Sequence, residues 1–159
     1  VLSLYSDVYV STEKQLPDYL DKYLLKIKPE DMHYYMYKAD LFIGESGSMA
    51  TEAAYLGTHS IVLNSASREF GVFDWFSEYK TFHIADDFKD VIATSIELLE
   101  RADLKSESKA EAEVIVRNSV CLTDFIYWLI INYPVINKRF RDNNGNWVGR
   151  WIQPEHNSG

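Results

Sequence analysis

Apolar residues along this chain come in short blocks divided by polar turns. Leu41-Phe42-Ile43 and Ser60-Ile61-Val62-Leu63-Asn64 are continuous blocks of strand length, the pattern of strands covered on both faces. Between them Met49, Ala53 and Leu56 recur at helical spacing, predicting a helix over Ser48 to Leu56 with Gly57 as its left-handed stop. Upstream, Asp7-Val8-Tyr9-Val10-Ser11 reads as a buried strand, and a polar cluster around Pro17 ends it. Pro29-Glu30-Asp31 then opens a helix that runs through Met32, Tyr35, Met36 and Ala39. Downstream, the pattern predicts a helix near Phe73 to Tyr79, a strand at Thr81 to Ile84, and helices over Val91 to Leu99 and Lys105 to Asn132.

Strands and helices therefore alternate with short connections. That order predicts an α/β fold, a Rossmann-like parallel sheet with flanking helices. Ligands of such sheets bind beyond the carboxyl ends of the strands, and the turn after Ile43 lies at one of those ends. Residues 1–140 read as one domain, and the tail 141–159, rich in Asn, Gly and Trp, as irregular chain.

Charge narrows the choice of ligand. With 24 acidic and 16 basic residues the net charge is -8, which opposes nucleic acid. A small anion is still compatible if backbone N–H groups hold it. The single cysteine, Cys121, excludes an internal disulfide framework and fits a reducing, cytoplasmic setting; its apolar surroundings suggest a buried core thiol. The longest apolar run, Phe125 to Ile131, is well below the ~20 residues of a transmembrane helix, so no transmembrane segment is expected. No signal peptide is expected from the opening residues.

The segment Gly44-Glu45-Ser46-Gly47-Ser48-Met49-Ala50-Thr51-Glu52 carries the candidate chemistry. It joins a strand to a helix through residues with little bulk. The first N–H groups of that helix have no partner within it and lie at the positive end of its dipole. A diphosphate placed there would accept from Gly47, Ser48 and Met49, with the Ser46 and Ser48 hydroxyls assisting. Glu52 lies one turn deeper on the Ser48 face, and its two oxygens suit two neighbouring hydroxyls, such as those of a ribose. A plain strand–helix turn with small residues and a favourable acid would look similar.

Taken whole, the stretch Ala39 to Gly57 resembles the diphosphate-binding segment of the bacterial UDP-N-acetylglucosamine 2-epimerases, an A-D-x-x-I/V-x-D-S-G-G-x-x-E-E-A-x-x-L-G pattern in the C-terminal domain of a GT-B fold. It is more similar still to a family of uncharacterised, predicted glycosyltransferases of archaea and bacteria, which share Val10-Ser11-Thr12-Glu13 and Pro29-Glu30-Asp31-Met32-His33. The similarity spans Val8 to Leu99. It implies that Ser46, Gly47 and Ser48 face the diphosphate of a nucleotide-sugar, a UDP-sugar first of all, and that Glu52 takes the ribose hydroxyls. It also sets the loop at Ile27 and Lys28 beside the base, with His33 near the same pocket. The chain departs from the epimerase pattern at Glu45, Ser48 and His59, which stand where Asp, Gly and Pro are usual. The acceptor-binding and most catalytic groups of such enzymes belong to an N-terminal GT-B half. The expectation is therefore a binding domain that begins at the second strand of its half and is inactive alone, with no cofactor beyond the UDP-sugar substrate and no metal. The rival is a non-catalytic interaction module that kept the fold and lost the ligand.

Other candidates are weaker. Asn64 and Arg68, at and after the end of a strand, could touch sugar or phosphate; a solvated arginine is the plainer reading of Arg68. His33, His59, His83 and His156 are too widely spaced for a local metal motif. Gly44-Glu45-Ser46-Gly47-Ser48 is one glycine short of a hydrolase nucleophile elbow. Phe73, Trp75, Phe76 and Tyr79, with Phe70, read as core and interface, a sugar-stacking platform being the alternative. An exposed patch of Phe125, Trp128 and Leu129 is expected to favour a homodimer.

Overall fold

A computed structural model describes residues 1–63 and 71–133. Asn64, Arg68, Phe70 and the tail 141–159 lie outside the described residues. The chain divides into two compact units, Val1–Ile115 and Val116–Gly159.

The first unit is built on three parallel strands, β1 (Leu41–Gly44), β2 (His59–Leu63) and β3 (Phe82–Ala85), in the order β1-β2-β3. Leu41 pairs with His59, and Ser60 with Phe82. The helices are α1 (Met32–Lys38), α2 (Gly47–Tyr55), α3 (Gly71–Phe76), α4 (Phe88–Leu99) and α5 (Leu104–Asn118), which runs into the second unit. The fold is Rossmann-like α/β, as the alternating blocks predict.

Side-chain alternation along each strand feeds two cores. On one face Val62 and Phe82, with Phe42 and Ile84 against them, pack on Ala50 and Ala54 of α2, Phe73 and Phe76 of α3, Tyr79, and Ile115 of α5. On the other, Ile61 and Ala85 meet Val91 and Leu98 of α4 and Leu104 of α5. Both faces are covered, which explains why the strands read as unbroken apolar runs. The aromatic stretch is core: Phe73, Phe76 and Tyr79 are buried, and Trp75 packs edge-on against Phe76.

Several expectations are corrected. Asp7 to Ser11 is not a sheet strand. Val10 makes one isolated parallel bridge to Leu24, its N–H donating to Tyr23 O at 2.8 Å, and Tyr9 is exposed. Among the described residues its partner is the short Leu24-Leu25 piece, too brief to extend a ladder. Nor is Lys105 to Asn132 one helix. α5 stops at Asn118, and α6 (Leu122–Asn132) begins after Ser119-Val120-Cys121, where Cys121 is extended and its carbonyl accepts the first bond of α6, from Phe125 N–H. Finally, Cys121 is exposed rather than a core thiol, because that break puts it on a turn.

The second unit contains α6. Phe125, Trp128 and Leu129, expected as the exposed patch, are half-buried, while Leu122, Ile126, Tyr127, Ile130 and Ile131 are exposed.

Candidate functional site

β1 ends at Gly44, and after two intervening residues α2 begins at Gly47, so the Ser46 to Ser48 turn lies at the carboxyl end of a parallel strand. Ser46 is the N-cap. Its extended backbone turns the chain into the helix, its carbonyl accepts from Ala50 N–H at 3.0 Å, and its hydroxyl accepts from Met49 N–H at 3.4 Å. This sharpens the expected donor set. The Met49 N–H is engaged by the cap, and those of Gly47 and Ser48 are left without an acceptor inside the helix. Thr51 folds back on its own helix, Oγ1 donating to Ser48 O at 2.8 Å.

The glycines of the turn also answer to packing. A Cβ on Gly47 would overlap the Phe73 ring, and one on Gly44 would come within 2.9 Å of the Phe42 ring. The small residue at 47 is thus required by the core, whatever binds at the helix end.

Glu52 lies one turn along α2, and its Oε2 is 3.0 Å from Nε2 of His33 in the first turn of α1. Two residues far apart in sequence are brought together on an accessible surface, the His33 side chain 64% and that of Glu52 48% exposed. The pair therefore remains open to a ligand. Ile27 is half-buried, and Lys28 immediately precedes the Pro29–Asp31 turn that leads into α1, its ammonium 3.8 Å from Glu30.

What fixes α1, and with it His33, is a polar clamp at its far end. Lys105 Nζ of α5 donates to the Tyr37 carbonyl at 2.8 Å, to that of Ala39, and to Thr58 Oγ1 at 3.1 Å. The Thr58 hydroxyl, fully buried, donates to Met36 O at 2.6 Å. A cation on the carbonyl end of a helix also meets the negative end of its dipole. Burial holds the Lys105 ammonium below its ordinary pKa. Ser108, one turn on, donates to Gly57 O at 2.9 Å and so ties α5 to the end of α2.

A second cluster lies at the amino ends of the strands. His59, the first residue of β2, is fully buried, with its Nδ1 3.4 Å from Nε2 of His83 on β3 and the two rings stacked. On its other side Nε2 lies 3.7 Å from Glu107, whose carboxylate also pairs with Arg101 at 2.6 Å and Lys80 at 3.6 Å. Burial, and then the neighbouring His83, push the His59 pKa down to about 4, a shift only partly offset by Glu107. His83 is lowered too, chiefly by burial. Sequence spacing missed this cluster, because the two histidines are neighbours only through the β2–β3 register. A histidine near the start of each of two adjacent strands was the available signal. Among the described residues no three His, Cys, Asp or Glu side chains group as metal ligands would.

No curated protein and no solved structure matches the chain. A family described as proteins of unknown function, DUF354, matches residues 11–131, which include the β1–α2 turn, His33 and the His59–His83 pair. With that match over most of its length, the chain belongs to the DUF354 family.

Proposed function

We propose that this chain is a nucleotide-sugar-binding domain, the C-terminal half of a GT-B glycosyltransferase or epimerase-like enzyme, and that UDP-sugars are its ligand class. One observation carries the reading. A serine-capped helix start at the carboxyl end of a parallel strand is paired, one turn along, with an accessible His33–Glu52 couple. The Gly47 and Ser48 N–H groups supply donors for a diphosphate, and Glu52 supplies two acceptor oxygens for ribose hydroxyls. His33 gives Glu52 a fixed direction and adds a donor near the same hydroxyls. The turn resembles the diphosphate segment of the epimerases in the same residues.

Charge-assisted bonds of about 1.5–3 kcal/mol each, less ordering costs, leave such a half-site around 4–5 kcal/mol and a Kd near millimolar. Titration of UDP, GDP and CMP followed by NMR tests the proposal. Saturable shifts at Ser46 to Met49 and at Glu52, strongest for UDP, support it. Flat spectra at several millimolar of all three reject it and leave the interaction-module reading, which the packing of Phe73 against Gly47 favours by accounting for that glycine without a ligand. On this proposal the catalytic groups belong to the other half of the enzyme. Turnover of UDP-N-acetylglucosamine by this chain alone would contradict that part.

A further inference from the structure

Two buried side-chain atoms have no hydrogen-bond partner among the described residues, Nε2 of His59 and Oγ1 of Thr81. Both residues are fully buried, where an unmatched polar atom is costly. They also share a side of the sheet. Ser60 pairs with Phe82, so His59 lies opposite Thr81, and facing residues of parallel strands project to the same side.

The neighbours of His59 decide which of its nitrogens carries the proton. The Lys80 N–H donates to Glu111 Oε1 at 3.2 Å, so the backbone bond that His83 makes to Lys80 goes to the carbonyl. It comes from Nδ1 of His83, because Nε2 faces His59. Burial keeps both imidazoles neutral at pH 7. A neutral His83 that donates through Nδ1 presents a bare Nε2. The 3.4 Å contact between the rings then takes its proton from His59 Nδ1, and His59 Nε2 is left as a lone-pair acceptor.

That lone pair faces another acceptor. Oε2 of Glu107 lies 3.7 Å from it and already accepts from Arg101 at 2.6 Å. A donor has to stand between them. The Lys80 ammonium is engaged with the other oxygen of Glu107, and that of Lys105 with α1 and Thr58. A water molecule has the right complement, one O–H for Nε2, one for the carboxylate, and a lone pair for the Thr81 hydroxyl. At ordinary hydrogen-bond lengths it sits about 2 Å to the side of the Nε2–Oε2 line. We propose that His59 is the Nδ1–H tautomer and that an internal water bridges its Nε2, the Thr81 hydroxyl and the Glu107 carboxylate. His83, His59, the water and Glu107 then form one hydrogen-bonded chain from the interior to a carboxylate side chain that is 20% exposed.

Long-range 15N–1H correlation spectra of the full chain with labelled histidine, at pH 7, test the tautomer. Rotating-frame Overhauser spectra test the water. The expected result is a protonated Nδ1 and a bare Nε2 on His59, with a cross-peak between a long-lived water and the His59 ring protons. Thr81→Val should lose at least half of that cross-peak and Thr81→Ser should keep it. The parent spectra decide the proposal even if neither variant folds. A proton on His59 Nε2 overturns it by making Glu107 the direct partner. An Nδ1–H tautomer without a water contact also overturns it and gives the lone pair to the Thr81 hydroxyl alone. A cross-peak of full strength in a folded Thr81→Val variant overturns the bridge by removing Thr81 from it.

Discussion

His33 and Glu52, nineteen positions apart, meet at 3.0 Å between the first turn of α1 and the middle of α2. Both are well exposed, so the pair itself adds little to stability, roughly 1 kcal/mol or less. Its value lies in direction. Glu52→Ala is expected to abolish saturable UDP binding and His33→Ala to weaken it several-fold, each with a melting temperature within a few degrees of the parent. A titration in which both variants bind UDP like the parent removes the pair from the site.

Gly47 separates packing from binding. In Gly47→Ala the new methyl overlaps the Phe73 ring, and the overpacking is expected to cost about 1–3 kcal/mol in urea unfolding. Adding Phe73→Leu should recover part of that loss, a non-additivity that identifies the pair as the cause. Equal, additive losses would show that the glycine serves some other requirement.

The Lys105 clamp predicts an effect at a distance. Lys105→Met keeps the side chain's length and removes its three donations at the end of α1. It should destabilise the protein by about 2 kcal/mol. The amides of α1 should also exchange with solvent faster than those of α2. Uniformly faster exchange in both helices would mean that the lysine supports the whole domain rather than α1.

Acid sensitivity follows from buried His59 and its half-buried neighbour His83. The folded state binds a proton at His59 less readily than the unfolded chain, so the neutral form is the stabilising one. That contribution is complete above the ordinary pKa of 6.5 and is lost as pH falls toward about 4, a difference of about 3 kcal/mol, to which His83 adds in the same direction. Urea midpoints should decline over this window in the parent and decline less in His59→Gln. Parallel curves for the two proteins would rule His59 out as the source.

The sheet was legible because β1 and β2 are buried on both faces and their unbroken apolar runs admit few alternatives. The cap and the stop of α2 could be read from Ser46 and Gly57, whose roles are local; Gly57 does take the left-handed conformation, with φ of 74°. What periodicity could not reveal depends on neighbours distant in sequence. Asp7 to Ser11 has strand composition but, among the described residues, pairs only with Leu24-Leu25. Ser119 to Cys121 interrupts a helical pattern without glycine or proline. Within the candidate site the helix start at Ser46 to Ser48 was visible residue by residue, whereas the capture of the Met49 N–H by the Ser46 hydroxyl was not. The partnership of Glu52 with His33, the clamp on α1 and the need of Phe73 for Gly47 all arise between elements, where no spacing rule reaches.

The buried residues of α5 place a boundary on where this domain can be cut. Leu104, Ser108, Ala112 and Ile115 form one inward stripe, with Lys105 beside it. A polypeptide shortened after α4 would lose Leu104 from one core, Ile115 from the other and the ammonium that closes α1. Shortening after Asn118 removes none of these. The smallest autonomous version of the Val1–Ile115 unit therefore needs nearly all of α5, and the apolar α6 can be deleted without opening either core.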